Sequence, residues 1–126
     1  MAKSKKPYGP CEFEKVLVVS TAHISSEDCP VLTRTAQGIL RTAGLIDDPD
    51  LRPNPLIEVH DRGYGYLVRV PVEEHLQRKD RKVLRDAGLS KYFVRLLLIA
   101  QEKGARWILI DRDADIIPRL PKPKRW

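Results

Sequence analysis

Three aspartates at alternate positions, Asp111, Asp113 and Asp115, follow directly on the apolar run Trp107-Ile108-Leu109-Ile110. Carboxylates at a strand end suit a hard cation such as Mg²⁺, which takes oxygen donors and keeps several of its waters. They also suit nucleophilic or general-base work. Three histidines, His23, His60 and His75, are the side chains able to move a proton near neutral pH. A metal-dependent hydrolase would combine the two sets, with the three aspartates as ligands and a histidine as base.

The spacings complete no such site. An EF-hand loop opening at Asp111 needs glycine at its sixth position and glutamate at its twelfth; Ile116 and Lys122 stand there. The apolar strand followed by Asp-x-Asp resembles the nucleophile loop of haloacid-dehalogenase-type phosphatases. That motif wants threonine or valine where this chain has Asp115, and a long domain after it. The histidines show no His-x-His or His-Glu-x-x-His spacing, and Ser20 and Ser25 have no Gly-x-Ser-x-Gly context. No phosphate-binding glycine motif is present. The bland alternative for Asp111 and Asp113 is a turn in which a carboxylate accepts from nearby backbone amides.

A second pattern points to nucleic acid. Arg62-Gly63-Tyr64-Gly65-Tyr66-Leu67-Val68-Arg69 resembles the RNP1 motif of RNA-recognition modules, [KR]-G-[FY]-[GA]-[FY]-V-x-[FY]. The resemblance implies Tyr64 and Tyr66 stacking on bases, with Arg62 and Arg69 as further candidate nucleic-acid contacts in the same stretch. Two departures stand against it. Arg69 occupies the eighth position, and Leu17 stands where strand one should supply an aromatic. Strand parity also groups Tyr66 with Val68 and Val70, which reads as the core face. Basic tails would add counterion release. Lys3, Lys5, Lys6, Arg119, Lys122, Lys124 and Arg125 carry seven of the positive charges, and the net charge of +6 leaves residues 11–115 at −1. Tails of this kind also simply keep a protein soluble.

The elements that must position these residues alternate. Phe13–Ser20 is strand one, apolar on both faces, which suits a central strand. A helix follows, capped by Ser25 or Ser26, with Glu27 and Asp28 in its first turn and Gly44 at its end. Residues 45–55 are an acidic, proline-rich loop. Leu56–His60 and the stretch from Tyr64 or Gly65 to Val70 form a hairpin around Asp61-Arg62-Gly63. The charged segment Val72–Ala87 is a surface helix or a loop with a helical turn. Ser90 caps a second clear helix, stopped by Gly104. Arg106–Ile110 is strand four, giving either Trp107 and Leu109 or Ile108 and Ile110 to the core. The order βαββαβ is the ferredoxin-like arrangement: an α+β sandwich, its antiparallel sheet ordered 4-1-3-2 with both helices on one face. In that topology His23 and Asp111 lie at opposite ends of the sheet.

With 126 residues, 42% of them hydrophobic and 32% charged, the chain is the size of one domain, expected over 13–115 between a basic arm at 1–12 and a proline-containing tail at 116–126 that packs on it. No apolar run approaches the roughly eighteen residues of a membrane span. The basic start lacks a signal-peptide core. Cys11 and Cys29 form no Cys-x-x-Cys pair and read as reduced thiols, so a cytoplasmic protein without a membrane partner is expected.

The combination of Ser20-Thr21-Ala22-His23-Ile24-Ser25, Gly65-Tyr66-Leu67-Val68-Arg69-Val70, and Trp107-Ile108-Leu109-Ile110-Asp111-Arg112-Asp113-Ala114-Asp115 with a terminal Trp126 is similar to a family of small domains of unknown function encoded on bacterial plasmids, phages and integrated elements. The resemblance covers roughly residues 14–126, against which the charged segment around 77–88 looks like an insertion. Thr21, Ala22, His23, Gly65, Tyr66, Trp107, Asp111, Arg112, Asp113 and Trp126 carry it. It assigns no activity, so His23, His60, Arg112 and Trp126 are motif residues without a role. It implies an accessory gene of a mobile element, where anti-defence or regulatory proteins act by binding. The sequence thus favours a non-enzymatic binding protein with no cofactor, acting on a protein partner or on its own copies. Single-stranded RNA or DNA binding and metal-dependent hydrolysis are the alternatives.

Overall fold

The computed structural model describes residues 13–45, 47–48, 54, 56–71 and 75–123. Strands β1 (Val16–Ser20), β2 (Glu58–Asp61), β3 (Gly65–Arg69) and β4 (Trp107–Asp111) form one sheet, with helices α1 (Asp28–Thr42), α2 (Arg78–Asp86) and α3 (Lys91–Glu102) between them. A short 3₁₀ turn, Thr21–His23, follows β1. Among the described residues no helix is long and apolar enough to cross a membrane.

The α+β class and the four strands agree with the sequence; the sheet order does not. The strands run β1-β4-β3-β2 rather than 4-1-3-2. β4 pairs parallel with β1 and antiparallel with β3, which pairs antiparallel with β2. The sheet is therefore mixed, and strand one lies at an edge. The reason is visible in β4. Trp107-Ile108-Leu109-Ile110 is also apolar on both faces, so two-sided apolarity could not decide which strand is central. The correction matters for function. β1, β2 and β4 all point the same way, so their C-terminal ends share one end of the sheet. His23 and Asp111, expected at opposite ends, lie at the same end of the sheet.

Paired residues face the same side of a sheet. Leu17, Ile108, Val68 and Val59 form one inward row, and Val19, Ile110 and Tyr66 the next. These pack with Leu32 and Ala36 of α1 and with Phe93, Leu96, Leu97 and Ala100 of α3 in one cluster. The charged segment is a true helix, α2, held by Leu84, which is fully buried in the same cluster.

Each helix ends alike. Leu45 N–H donates to Leu40, Leu89 N–H to Leu84 and Ala105 N–H to Ala100, each just past a glycine at positive φ (Gly44, Gly88, Gly104). This is the Schellman closure, in which glycine adopts the left-handed conformation and satisfies an orphan carbonyl. The helix starts meet at Asp28. Its carboxylate is fully buried and accepts from Ser25 N–H at 2.7 Å, Ser90 N–H at 2.6 Å and Ser90 Oγ–H at 2.6 Å. Ser90 in turn caps α3 by accepting from Phe93 N–H. One buried carboxylate thus ties the first turn of α1 to the cap of α3.

Candidate functional site

The shared end of β1 and β4 is where open parallel sheets hold ligands. Ser20 lies beside Asp111 in register, and His23 follows within one 3₁₀ turn. Both ring nitrogens of His23 are already used. Nδ1 lies 3.1 Å from the Pro121 carbonyl oxygen and Nε2 lies 2.9 Å from Ile117 N. A carbonyl only accepts and an amide only donates, so Nδ1 carries the proton and Nε2 accepts. The ring is 0% exposed. It has no lone pair left for a metal or a substrate proton, and it fastens the C-terminal segment instead. Leu120 of that segment packs against the core.

The aspartates make a turn. Asp111 Oδ1 accepts from Asp113 N–H at 2.8 Å, the Ala114 amide donates to the Asp111 carbonyl, and Arg112 N–H donates to the Tyr64 carbonyl. Arg112, Asp113 and Asp115 are exposed. Among the described residues no group of three or more His, Cys, Asp or Glu is placed to hold a metal ion. Ser20 Oγ accepts from Ala22 N–H. Gly65, paired with Asp111, explains the close fit of β3 to β4: a Cβ there would lie 1.7 Å from the Ile110 carbonyl oxygen.

The RNP1-like segment divides between the two faces. Tyr66 points into the helix side, as strand parity indicates. Its hydroxyl donates to the Cys29 carbonyl at 3.2 Å and accepts from Thr33 Oγ1–H at 2.8 Å. Burial raises the Tyr66 phenol above its ordinary pKa, against the Thr33 hydrogen bond. Burial likewise pushes the Cys29 thiol up, opposed by the Tyr66 hydrogen bond and helped by the Asp28 charge. Tyr66 is thus not presented for base stacking on the open face, which corrects its assignment as a nucleic-acid contact. Arg62 and Tyr64 lie exposed in the hairpin turn, where Gly63 (φ +81°) allows the reversal. Arg69 lies on the open face, not in the core. Lys122 is exposed. Lys5, Lys6, Lys124, Arg125 and Trp126 lie outside the described residues.

The face away from the helices is built from two rows across the sheet. Val16, Trp107, Arg69 and Glu58 form one, and Val18, Leu109, Leu67 and His60 the other. None of these eight side chains is fully buried, and Val16 and Val18 are 47% and 48% exposed. Trp107 is held from one side by Arg69, whose Cζ lies 5.0 Å from the ring centroid, a cation–π distance. His60 approaches it at 6.1 Å, and its Nε2 lies 2.6 Å from Glu58 Oε2. Glu14 links Arg69 and Arg106 at 3.9 and 3.7 Å. The result is an aliphatic and indole centre rimmed by charge.

Residues 16–123 match a family model described as the C-terminal domain of a family of unknown function, DUF5983. The chain belongs to that family. No curated protein and no solved structure matches it. The DUF5983 match runs from the first residue of β1 past the Pro121 anchor, so it contains both the open face and the histidine clamp. Several positions that carried the family resemblance have structural jobs in this DUF5983 domain: His23 fastens the tail, Gly65 permits close strand pairing, and Tyr66 bonds β3 to α1.

Sequence reasoning left open whether Trp107 or Ile108 lies on the outer face, and it missed Asp28 as a junction. The only signal for the first was the equal apolarity of both parities in β4, which leaves one pair outside the core. No local signal marks Asp28, because its partner Ser90 is remote in the chain.

Proposed function

We propose that this DUF5983 domain is a non-enzymatic binding protein that takes a protein partner on the open face of its sheet. One observation carries the reading: a single-layer face whose centre is Val18, Leu67, Leu109 and Trp107, with Arg69, Glu58 and His60 around it. Tryptophan and arginine dominate binding energy in protein interfaces, and an apolar centre inside a polar rim is their usual anatomy. The fastening of His23, Ser20 and Asp111 into backbone structure supports the non-enzymatic half of the proposal. The resemblance to mobile-element domains supports an anti-defence or regulatory setting in the cytoplasm.

Site-specific photo-crosslinking from position 109 tests this, with position 34, exposed on α1, as control. A single adduct of defined mass at 109, abolished by Val18→Lys, is the expected result. Adducts equal at both positions, or none, would refute it. An adduct of twice the chain mass would show that the partner is a second copy.

A second reading, single-stranded nucleic acid on the same face, draws on Trp107 as a stacking platform beside Arg69. It expects quenching of Trp107 fluorescence by an oligonucleotide, weakening steeply with salt. No quenching at low salt would exclude it.

A further inference from the structure

Between α2 and α3 lies a groove of about 610 Å³, lined by Arg78, Arg81, Lys82 and Arg85 on one wall, Lys91, Arg95 and Glu102 on the other, and Val94, Leu98 and Ile99 between them. The α2 cations recur at i, i+3, i+4 and i+7, which places them in one stripe along a helix. Among the described residues six cations therefore face a single carboxylate, in a domain body whose sequence charge is close to neutral. Lys82 has a local partner in Asp86 at 2.9 Å, and Arg85 Nη1 donates to the Leu89 carbonyl. Lys91 lies over the Tyr92 ring at 5.3 Å. Arg78, Arg81 and Arg95 have no carboxylate within ion-pair distance among the described residues.

We infer that this groove is a second docking site, for an acidic amphipathic helix of a protein partner. Charge complementarity commits the proposal to an anionic occupant. The aliphatic floor then decides its class. Val94, Leu98 and Ile99 offer nothing to a phosphate, and among the described residues no aromatic ring lines the groove to stack a base. A membrane surface would need projecting apolar side chains, whereas Val94 is buried and Leu98 and Ile99 are half-buried. A helix with apolar residues on one stripe and acids on both flanks satisfies floor and rim together, the helix-in-groove mode. The nine residues of α2 span about 13 Å, so two to three turns of such a helix match the cationic stripe. The site is separate from the open sheet face and does not depend on it.

The test uses the full chain and a fluorescent helical peptide of about fifteen residues, with leucines at i, i+3, i+4 and i+7 and glutamates flanking them. A peptide of the same composition in scrambled order, a single-stranded and a duplex oligonucleotide, and anionic phosphatidylglycerol vesicles complete the set. Binding of the patterned peptide is expected at least about tenfold tighter than the scrambled one, and at least about tenfold weaker in Arg81→Glu/Arg95→Glu and in Leu98→Ala, a loss visible in fluorescence anisotropy. The charge variants alter exposed side chains, and unchanged circular dichroism confirms their fold. Equal binding of both peptides would reduce the groove to an unspecific charge and overturn the proposal. Tighter binding of an oligonucleotide or of vesicles, or indifference to the three substitutions, would also overturn it.

Discussion

Replacing His23 separates a clamp from a core residue. The imidazole makes two hydrogen bonds to the C-terminal segment, at 3.1 Å to the Pro121 carbonyl and 2.9 Å from Ile117 N–H. Each is worth about 1 kcal/mol net in a partly buried setting. Loss of both therefore weakens docking of the segment by about 2 kcal/mol, a factor of roughly thirty in its opening equilibrium. His23→Ala adds a cavity at a fully buried site, so it also lowers global stability. His23→Phe keeps most of the volume and removes only the nitrogens. The assay is amide hydrogen exchange at Ile117 and at Leu120, whose N–H donates to the Ile117 carbonyl. Both variants should speed exchange there, while His23→Phe leaves β4 amides, such as those of Ile108 and Ile110, near their original protection. If His23→Phe leaves Ile117 exchange within about threefold of wild type, the hydrogen bonds contribute little and the clamp reasoning fails.

Further consequences can be measured directly. Asp28→Ala strips three donors of their shared buried acceptor and should cost about 3–5 kcal/mol in urea unfolding; a loss under 1 kcal/mol would mean the helix starts are not coupled through it. Gly65→Ala puts a methyl group into the Ile110 carbonyl and should lower stability by more than about 3 kcal/mol, with β3–β4 amides losing protection first. The raised pKa of Cys29 and Tyr66 has a definite sign: the folded state holds both protons more tightly than the unfolded chain, so the stability this contributes is complete below the unfolded thiol and phenol values of about 8.5 and 10 and is lost as pH rises from there through the raised folded-state values. Denaturation midpoints should therefore fall above pH 8.5, less steeply in Cys29→Ser, and alkylation of Cys29 should lag behind that of an unfolded-chain thiol. Asp111→Ala should cost about 1 kcal/mol through the lost turn hydrogen bond, with no change in calorimetric response to Mg²⁺; a Mg²⁺ binding heat lost in the variant would revive the metal reading.

Local features were readable because they depend on neighbours in the chain. The glycine stops at Gly44 and Gly104 and the inward parity of Tyr66 follow from backbone geometry alone. Sheet order was not readable, because β1 and β4 share the same two-sided apolar character and nothing local ranks them. That one ambiguity also misplaced His23 relative to Asp111. The partners of His23 lie in a proline-containing segment nearly a hundred residues away, with no periodicity to mark it. The cationic stripe of α2 looked like a mixed-charge solvated segment. Only folding sets it against the apolar stretch of α3 and turns it into one wall of a groove.

The position of β4 has a consequence for how the chain assembles. β1 and β3 share no hydrogen bonds; each meets the other only through Trp107–Asp111. Until that strand arrives, β1 has no neighbour to pair with, and the β2–β3 hairpin is a two-stranded ribbon backed by α1 through Tyr66. The strand made last is the one that closes the sheet, by wedging between two that were made earlier. On a ribosome the sheet of such a domain is expected to close only once β4 has emerged. A peptide carrying β4 supplied in trans to a chain truncated after Gly104 would recreate that moment in solution.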